Sequence, residues 1–298
     1  MSVRIVPHGP APAKGACSVG VLYLVATPIG NLEDITLRAL RVLREVDLIA
    51  AEDTRHSGRL LKHFGIETPM ISYHAHSGAG REEEVLRALE SGDVAVISDA
   101  GMPGIADPGE GLVRRALERG ARVEPVPGAS ALVAAVAASG LVPGGFVFGG
   151  FLPRRARERR EAIVELSRAR LPLVLYEAPH RLAAALEDLA AELGNRPVAL
   201  CRELTKLHEE VVRTTLVAAR QRVREQPPRG EYVLVVGAGP AAASAEEQPD
   251  ASALLAARLE AGEAPSAAAR AVARETGLAR SDLYRQALAL RAGATPEA

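Results

Sequence analysis

A chain of 298 residues with 48% hydrophobic and 24% charged residues has an ordinary globular composition, long enough for two domains and a small appendage. A formal net charge of −1 excludes recognition of nucleic acid by bulk charge, so such a partner needs a local basic patch. Two cysteines exclude a disulfide framework and a cysteine-ligated zinc, leaving a cytoplasmic, reducing compartment as the default, and there is no apolar run of about 18 residues to span a membrane.

Residues 1–18, "MSVRIVPHGPAPAKGACS", hold three prolines and lack the apolar centre of a signal peptide, which reads as a disordered leader or a misassigned start. Strand candidates at 21–26, 47–51, 94–98 and 122–126 then alternate with helical patterns near 32–44, 54–63, 80–90, 108–119 and 129–139. In the first helical pattern Leu32, Ile35, Leu37, Leu40 and Leu43 fall on one side. The alternation predicts a parallel sheet covered on both faces, as an N-terminal α/β domain over 19–142. "SGLVPGGFVFGGFLP" puts five glycines and two prolines into 139–153 and reads as the domain junction. A second α/β domain over 143–238 has helices at 154–168 and 180–193 alternating with strands at 171–177 and 197–202. It closes with a strand, a helix and a strand in a partly antiparallel sheet. A small, polar stretch at 239–251 is a linker. The tail, 252–298, carries three helices at 252–261, 265–275 and 280–291. Gly277 sits in the last turn and Ser281 opens the last helix, a helix-turn-helix-like arrangement.

Three loops at carboxyl ends of first-domain strands carry the chemistry. "TPIGN" follows the strand at 21–26 with one glycine where dinucleotide folds have three. In "SDAGMPGIADPG", Asp99 ends an apolar strand and Gly101 lets backbone approach a flat ligand. Asp99 either accepts hydrogen bonds from a ligand or closes an Asx-turn. In "PVPGASA", Ser130 caps the next helix or points into the site. Another G-x-G, in "VLVVGAGP" at 233–240, has no helix after it and fails the dinucleotide test.

These stretches, with "AEDTRHSG" and "CRELTK", resemble the tetrapyrrole methylase superfamily of S-adenosylmethionine enzymes over about residues 20–237, and within it the branch that methylates a cytidine ribose 2′-hydroxyl of 16S rRNA. The resemblance implies two α/β domains of the class III methyltransferase type with the cofactor cleft between them, plus a small C-terminal helical domain. It implies S-adenosylmethionine held by Pro28, Asp99, Gly101, Met102, Ser130 and Ala131, with Met102 standing where the family pattern has Thr. It also implies a homodimer acting in the cytoplasm on 16S rRNA in the assembled small subunit, with no membrane and no metal. Porphyrin-methylating members carry a "GxGPGD" first loop, which this chain lacks; "TPIGN" occupies that place.

For the acceptor, Glu52, Asp53, Arg55 and His56 cluster at a strand end, as a substrate-facing wall or as a capped helix start. His74 and His76, two apart, suit stacking or phosphate contact better than metal, lacking a third ligand. Arg154, Arg155, Arg157, Arg159 and Arg160, five arginines in seven residues, favour phosphate contact over a solvated face. Lys206 and Glu203 have the chemistry to hold or deprotonate a ribose hydroxyl, or they only tie their loop together as an ion pair. Two alternatives follow: a methylase of a corrin or porphyrin intermediate, and a DNA-binding regulator that uses the tail.

Overall fold

The computed structural model describes residues 19–74, 79–106, 110–239, 251–276 and 280–291. The first half runs β1 (Val21–Val25), α1 (Leu37–Glu45), β2 (Leu48–Ala51), α2 (Thr54–His63), β3 (Met70–Ser72), α3 (Ala79–Leu89), β4 (Val94–Ile97), α4 (Glu110–Glu118), β5 (Arg122–Val126) and α5 (Ala131–Ser139). Its five strands are all parallel, in the order β3-β2-β4-β1-β5. The chain steps from β1 outward to β2 and later returns past β1 to β5, so the order reverses between β1 and β4. In open parallel sheets the crevice at such a reversal, outside the carboxyl ends, binds ligand.

Alternating side chains cover both faces. Ala95 and Ile97 join Val25, Leu43 and Ile49 under α1 and α2, while Val94 and Val96 join Leu22, Leu86 and Leu112 under α3 and α4. The fully buried strands explain the near-continuous apolar runs.

The second half runs β6 (Val147–Phe151), α6 (Ala156–Ser167), β7 (Leu173–Glu177), α7 (Pro179–Leu193), β8 (Pro197–Arg202), β9 (Glu210–Thr215), α8 (Leu216–Glu225) and β10 (Tyr232–Val236). The sheet order is β6-β7-β10-β8-β9, with β6–β7 parallel and the other pairs antiparallel. One face packs under α6, α7 and α8 through Ile163, Leu186 and Leu216. The other face, with Val174, Ala199 and Val235, packs on Ala135, Leu132 and Val136 of α5. Helix α5 thus covers the second sheet. Arg213 fastens it there, donating to the carbonyls of Ser139 (3.1 Å) and Ala138 at its C-terminal end.

The tail, α9 (Ala251–Glu260), α10 (Pro265–Thr276) and α11 (Arg280–Arg291), has its own core of Leu255, Ala268, Val272, Leu283 and Ala287. Tyr284 and Leu288 remain exposed.

Three expectations change. The helix expected from residue 32 starts at Leu37, because Thr36 caps it by accepting from the Ala39 amide at 3.0 Å, and Leu32–Asp34 form a separate 3₁₀ turn capped by Asn31. Leu37 is therefore 87% exposed, off the buried face of Ala39, Val42 and Leu43. The glycine-rich stretch read as a junction contains β6: a Cβ on Gly149 would lie 2.7 Å from Leu166 and Leu175, and the register shifts there, with Gly150 beyond it at φ +57°. The third is β3, a three-residue edge strand beside Pro69 that periodicity did not reveal. Residues 1–18, most of the 239–251 linker, His76 and Gly277 lie outside the described residues.

Candidate active site

The carboxyl ends of β1 and β4 are tied together through the backbone. Thr27 and Gly101 exchange backbone hydrogen bonds (2.9 and 3.0 Å), and the Thr27 hydroxyl donates to the Ser98 carbonyl at 3.0 Å. Gly101 turns through φ +81°, open to glycine and strained for other residues. Asp99 is held from two sides: its Oδ1 accepts from the Asp53 amide (3.1 Å) and its own amide donates to Glu52 Oε2 (3.2 Å). Ser130 caps α5 by accepting from the Val133 amide.

Opposite stands the second sheet. Past β8, Glu203 and Thr205 both adopt the left-handed region, at φ +47° and +66°, a costly backbone for non-glycine residues. This turn presents Leu204 and Lys206. A Cβ on Gly30 would lie 2.3 Å from Lys206 Cγ, so the single glycine of the first loop lets its backbone rest against the lysine stem.

Between the two halves lies a cavity of about 500 Å³, lined by Ile29, Glu52, Asp99, Gly101, Met102, Ile105, Ser130, Ala131, Tyr176, Glu177, His180, Leu204, Lys206 and Glu231, among others. It therefore brings together five of the six expected cofactor residues. Pro28 is the exception. It lines an adjoining cavity of about 400 Å³ with His56, and Asp99 forms part of both walls.

Lys206 Nζ donates to Glu203 Oε1 (3.0 Å) and Glu231 Oε2 (2.8 Å). Burial pulls its pKa down, but the hydrogen bonds and charges of Glu231 and Glu203 outweigh burial and leave it raised. This favours Lys206 as a held cation over a lysine that takes a proton through a lowered pKa.

Glu177, at the end of β7, was not anticipated. Its side chain is 1% exposed; Oε1 pairs with Arg181 (3.1 Å) and accepts from the Ala178 amide (2.9 Å), while Oε2 is buried with no partner among the described residues. An acid at a strand end was the available signal, the one used for Asp99. Burial raises the Glu177 pKa, partly offset by the Ala178 amide and by Arg181. The folded chain then keeps this proton where the unfolded chain, near pH 4.3, has released it, so stability falls as pH rises from there through the raised value. Glu177→Gln should flatten that segment of a melting-temperature profile. Superimposable profiles would remove Glu177 as its source.

The acceptor-side residues scatter. Asp53 caps α2 and pairs with Arg55 at 3.0 Å, and the Arg55 hydrogen bonds hold its pKa down at about 2. His74, exposed just past β3, is not among the residues lining either cavity. Of the arginine run, Arg155 pairs with Glu158, Arg157 with Glu161, and Arg160 lies 3.8 Å from Asp188. Arg159 departs from the expectation. It is buried, 2.6 Å from Asp188, and unavailable to a phosphate. Among the described residues no cluster of three His, Cys, Asp or Glu is placed to hold a metal, and no helix is long and apolar enough to cross a membrane.

Comparison with known proteins agrees with this fold. Residues 21–219 match the model of the Tetrapyrrole (Corrin/Porphyrin) Methylases. Proteins called ribosomal RNA small subunit methyltransferase I are 48% identical over 281 residues in Synechocystis sp., covering 92% of this chain and 99% of that one, and 48% identical over 276 residues in Pseudomonas aeruginosa, covering 91% and 98%. Among solved structures, a diphthine synthase superposes with a TM-score of 0.58 at 16% identity, over 73% of this chain and 90% of that one. A Thermus thermophilus uroporphyrin-III C-methyltransferase complexed with S-adenosylhomocysteine superposes with a TM-score of 0.54 at 20% identity, over 73% and 97%. These two show the fold. The chain belongs to the tetrapyrrole methylase family, in its ribosomal RNA small subunit methyltransferase I branch.

Proposed function

We infer that the chain transfers a methyl group from S-adenosylmethionine to the 2′-hydroxyl of a cytidine ribose in 16S rRNA of the small ribosomal subunit. The observation that carries the cofactor's fit is the charge of the cavity: Glu52, Asp99 and Glu231 line it against the single ammonium of Lys206, while Glu177 there is paired with Arg181. An acidic cavity with apolar walls suits a sulfonium cofactor, and favours it over the uncharged thioether left after transfer. When bound, the cofactor supplies an electrophilic methyl group.

The residues' own work follows from their positions. Asp99, with Oδ1 engaged by the Asp53 amide, keeps its second oxygen for a ligand donor. Gly101 and Ala131 set close walls, Met102 adds an apolar contact where a hydroxyl was expected, and the orphaned Glu177 Oε2 is an acceptor awaiting a donor. Lys206, held cationic, orients an acceptor oxygen and offsets the negative charge developing on it. Alignment of oxygen, methyl carbon and sulfur by these walls contributes much of the rate.

The same reading includes a homodimer, supported by exposed apolar side chains such as Leu37, Val133 and Leu207, and action in the cytoplasm. The corrin or porphyrin reading lacks its first-loop motif. The regulator reading is weakened by the tail, where Arg258 pairs with Glu263 and Glu275, and Arg285 with Asp282.

Mass spectrometry of 16S rRNA from a deletion strain tests the activity: one cytidine 2′-O-methyl group should disappear, and an unchanged rRNA would overturn the reading. Asp99→Ala should weaken S-adenosylmethionine binding with the fold intact. Unchanged affinity by calorimetry would remove Asp99 from the cofactor site.

A further inference from the structure

Helix α2 is a basic helix with no acid of its own. Its ten residues, "TRHSGRLLKH", contain Arg55, Arg59, Lys62, His56 and His63 and no acid. Arg55 is neutralised by Asp53, but among the described residues neither Arg59 nor Lys62 has an ion-pair or hydrogen-bond partner for its side chain. Helix α6 has the opposite character: Arg155, Arg157 and Arg159 are paired with Glu158, Glu161 and Asp188 at 2.6–3.0 Å. Cations already spent on carboxylates gain little from phosphate, because each contact must first break a pair. Unpaired cations release counterions directly.

The adjoining cavity of about 400 Å³ lies against this helix, within the range of small-ligand sites. His56, Arg59 and His63, at i, i+3 and i+7, line it from one helical face, and Pro28, Leu32 and Leu60 supply its apolar surface. Cation and imidazoles on one side with apolar surface on the other match a nucleotide, which has a phosphate at one end and a flat base at the other. Asp99, the wall shared with the cofactor cavity, is where such a nucleotide's sugar would meet the methyl donor.

We propose that this second cavity receives the acceptor nucleotide of the RNA, unstacked from its neighbours, with Arg59 on its phosphate and Lys62 on the adjoining backbone. This rests on the functional reading above. The charge complement favours RNA over a protein partner. The arginine run of α6, which the sequence put forward, is secondary.

The test uses the full chain, tritiated S-adenosylmethionine and small subunits from a strain lacking the modification. Arg59→Gln with Lys62→Gln should raise the KM for subunits about tenfold or more, the size of one or two charge-assisted contacts. The salt dependence of subunit binding should flatten by about 0.7 per lost contact on a double-logarithmic plot. Leu32→Trp, which fills the cavity from its half-exposed rim, should raise the same KM. Calorimetric affinity for the cofactor, which also reports folding, should not move in either variant. Arg155→Gln with Arg157→Gln should leave the KM within about twofold, since their charges are already satisfied. The proposal is overturned if the α2 variants match wild type, if the α6 pair carries the effect, or if binding weakens with an unchanged salt slope, which would assign the face to a ribosomal protein. A wild-type chain that labels no subunits would overturn the functional reading and the pocket with it; a wild type that labels them as its α2 variants do would overturn the pocket alone.

Discussion

Lys206→Met is expected to lower the methylation rate about 10²-fold or more while S-adenosylmethionine binds almost normally. The ammonium reaches the cavity from the second sheet, opposite Asp99 and Gly101, on a turn that keeps two residues at positive φ. Such strain persists only where the surroundings impose it, here through the Glu203–Glu231 backbone bond of 3.0 Å and the Gly30 backbone against the lysine stem. The two ion pairs are partly exposed and together contribute at most about 1–2 kcal/mol to stability, so loss of rate on this scale is not loss of fold. A pKa raised by Glu231 and Glu203 despite burial keeps the charge through neutral pH. The rate of the wild type should therefore show no limb from lysine ionisation there, and Lys206→Arg, which keeps the charge, should recover part of the lost rate. If removing Glu203 together with Lys206 restores activity, the lysine only neutralises its neighbour.

How much of this was legible in sequence depended on whether the signal was local. The parallel half was, because strands buried on both faces read as apolar runs, and the loops at 98–109 and 125–131 carry turn residues at strand ends. Strand β6 was not: its glycines are set by Leu166 and Leu175, which are distant in sequence. Leu37 was misplaced because the Thr36 cap resets the helical phase, which an apolar count over 32–43 cannot register. In the site, the first-sheet loops were found because each sits on one short motif. Glu177 and Glu231 were missed because their role arises from packing: one has an oxygen sealed without a partner, the other reaches Lys206 from 25 residues away. The arginine run shows the reverse failure. Five cations in seven residues look like a phosphate site until the carboxylates on the next turn of α6, and on α7, are seen to answer three of them, Arg155, Arg157 and Arg159.

Arg159→Met should destabilise the chain by about 3–5 kcal/mol, the cost of leaving a buried charge without its partner. Asp188, on α7, is 12% exposed at its side chain and has Arg159 at 2.6 Å; Arg160, the other cation near it, is 3.8 Å away and half exposed. Arg159 also donates to the Arg154 carbonyl at 3.1 Å, so the pair clamps the start of α6 to α7. A phosphate-binding role predicts something different: loss of RNA affinity at unchanged stability. Urea unfolding separates the two, because Arg157→Met, which gives up only an exposed pair, should stay within about 0.5 kcal/mol of wild type. The double variant Arg159→Met with Asp188→Leu should recover most of the loss, since apolar groups of similar volume replace a buried pair at little cost. The effect should also reach the cavity. Arg159 is one of the charges that restrain the raised Glu177 pKa, so its removal should push Glu177 higher and move the pH at which stability declines upward with it. An Arg159→Met chain as stable as wild type, with weakened RNA binding, would return this arginine to the phosphate site from which its burial excludes it.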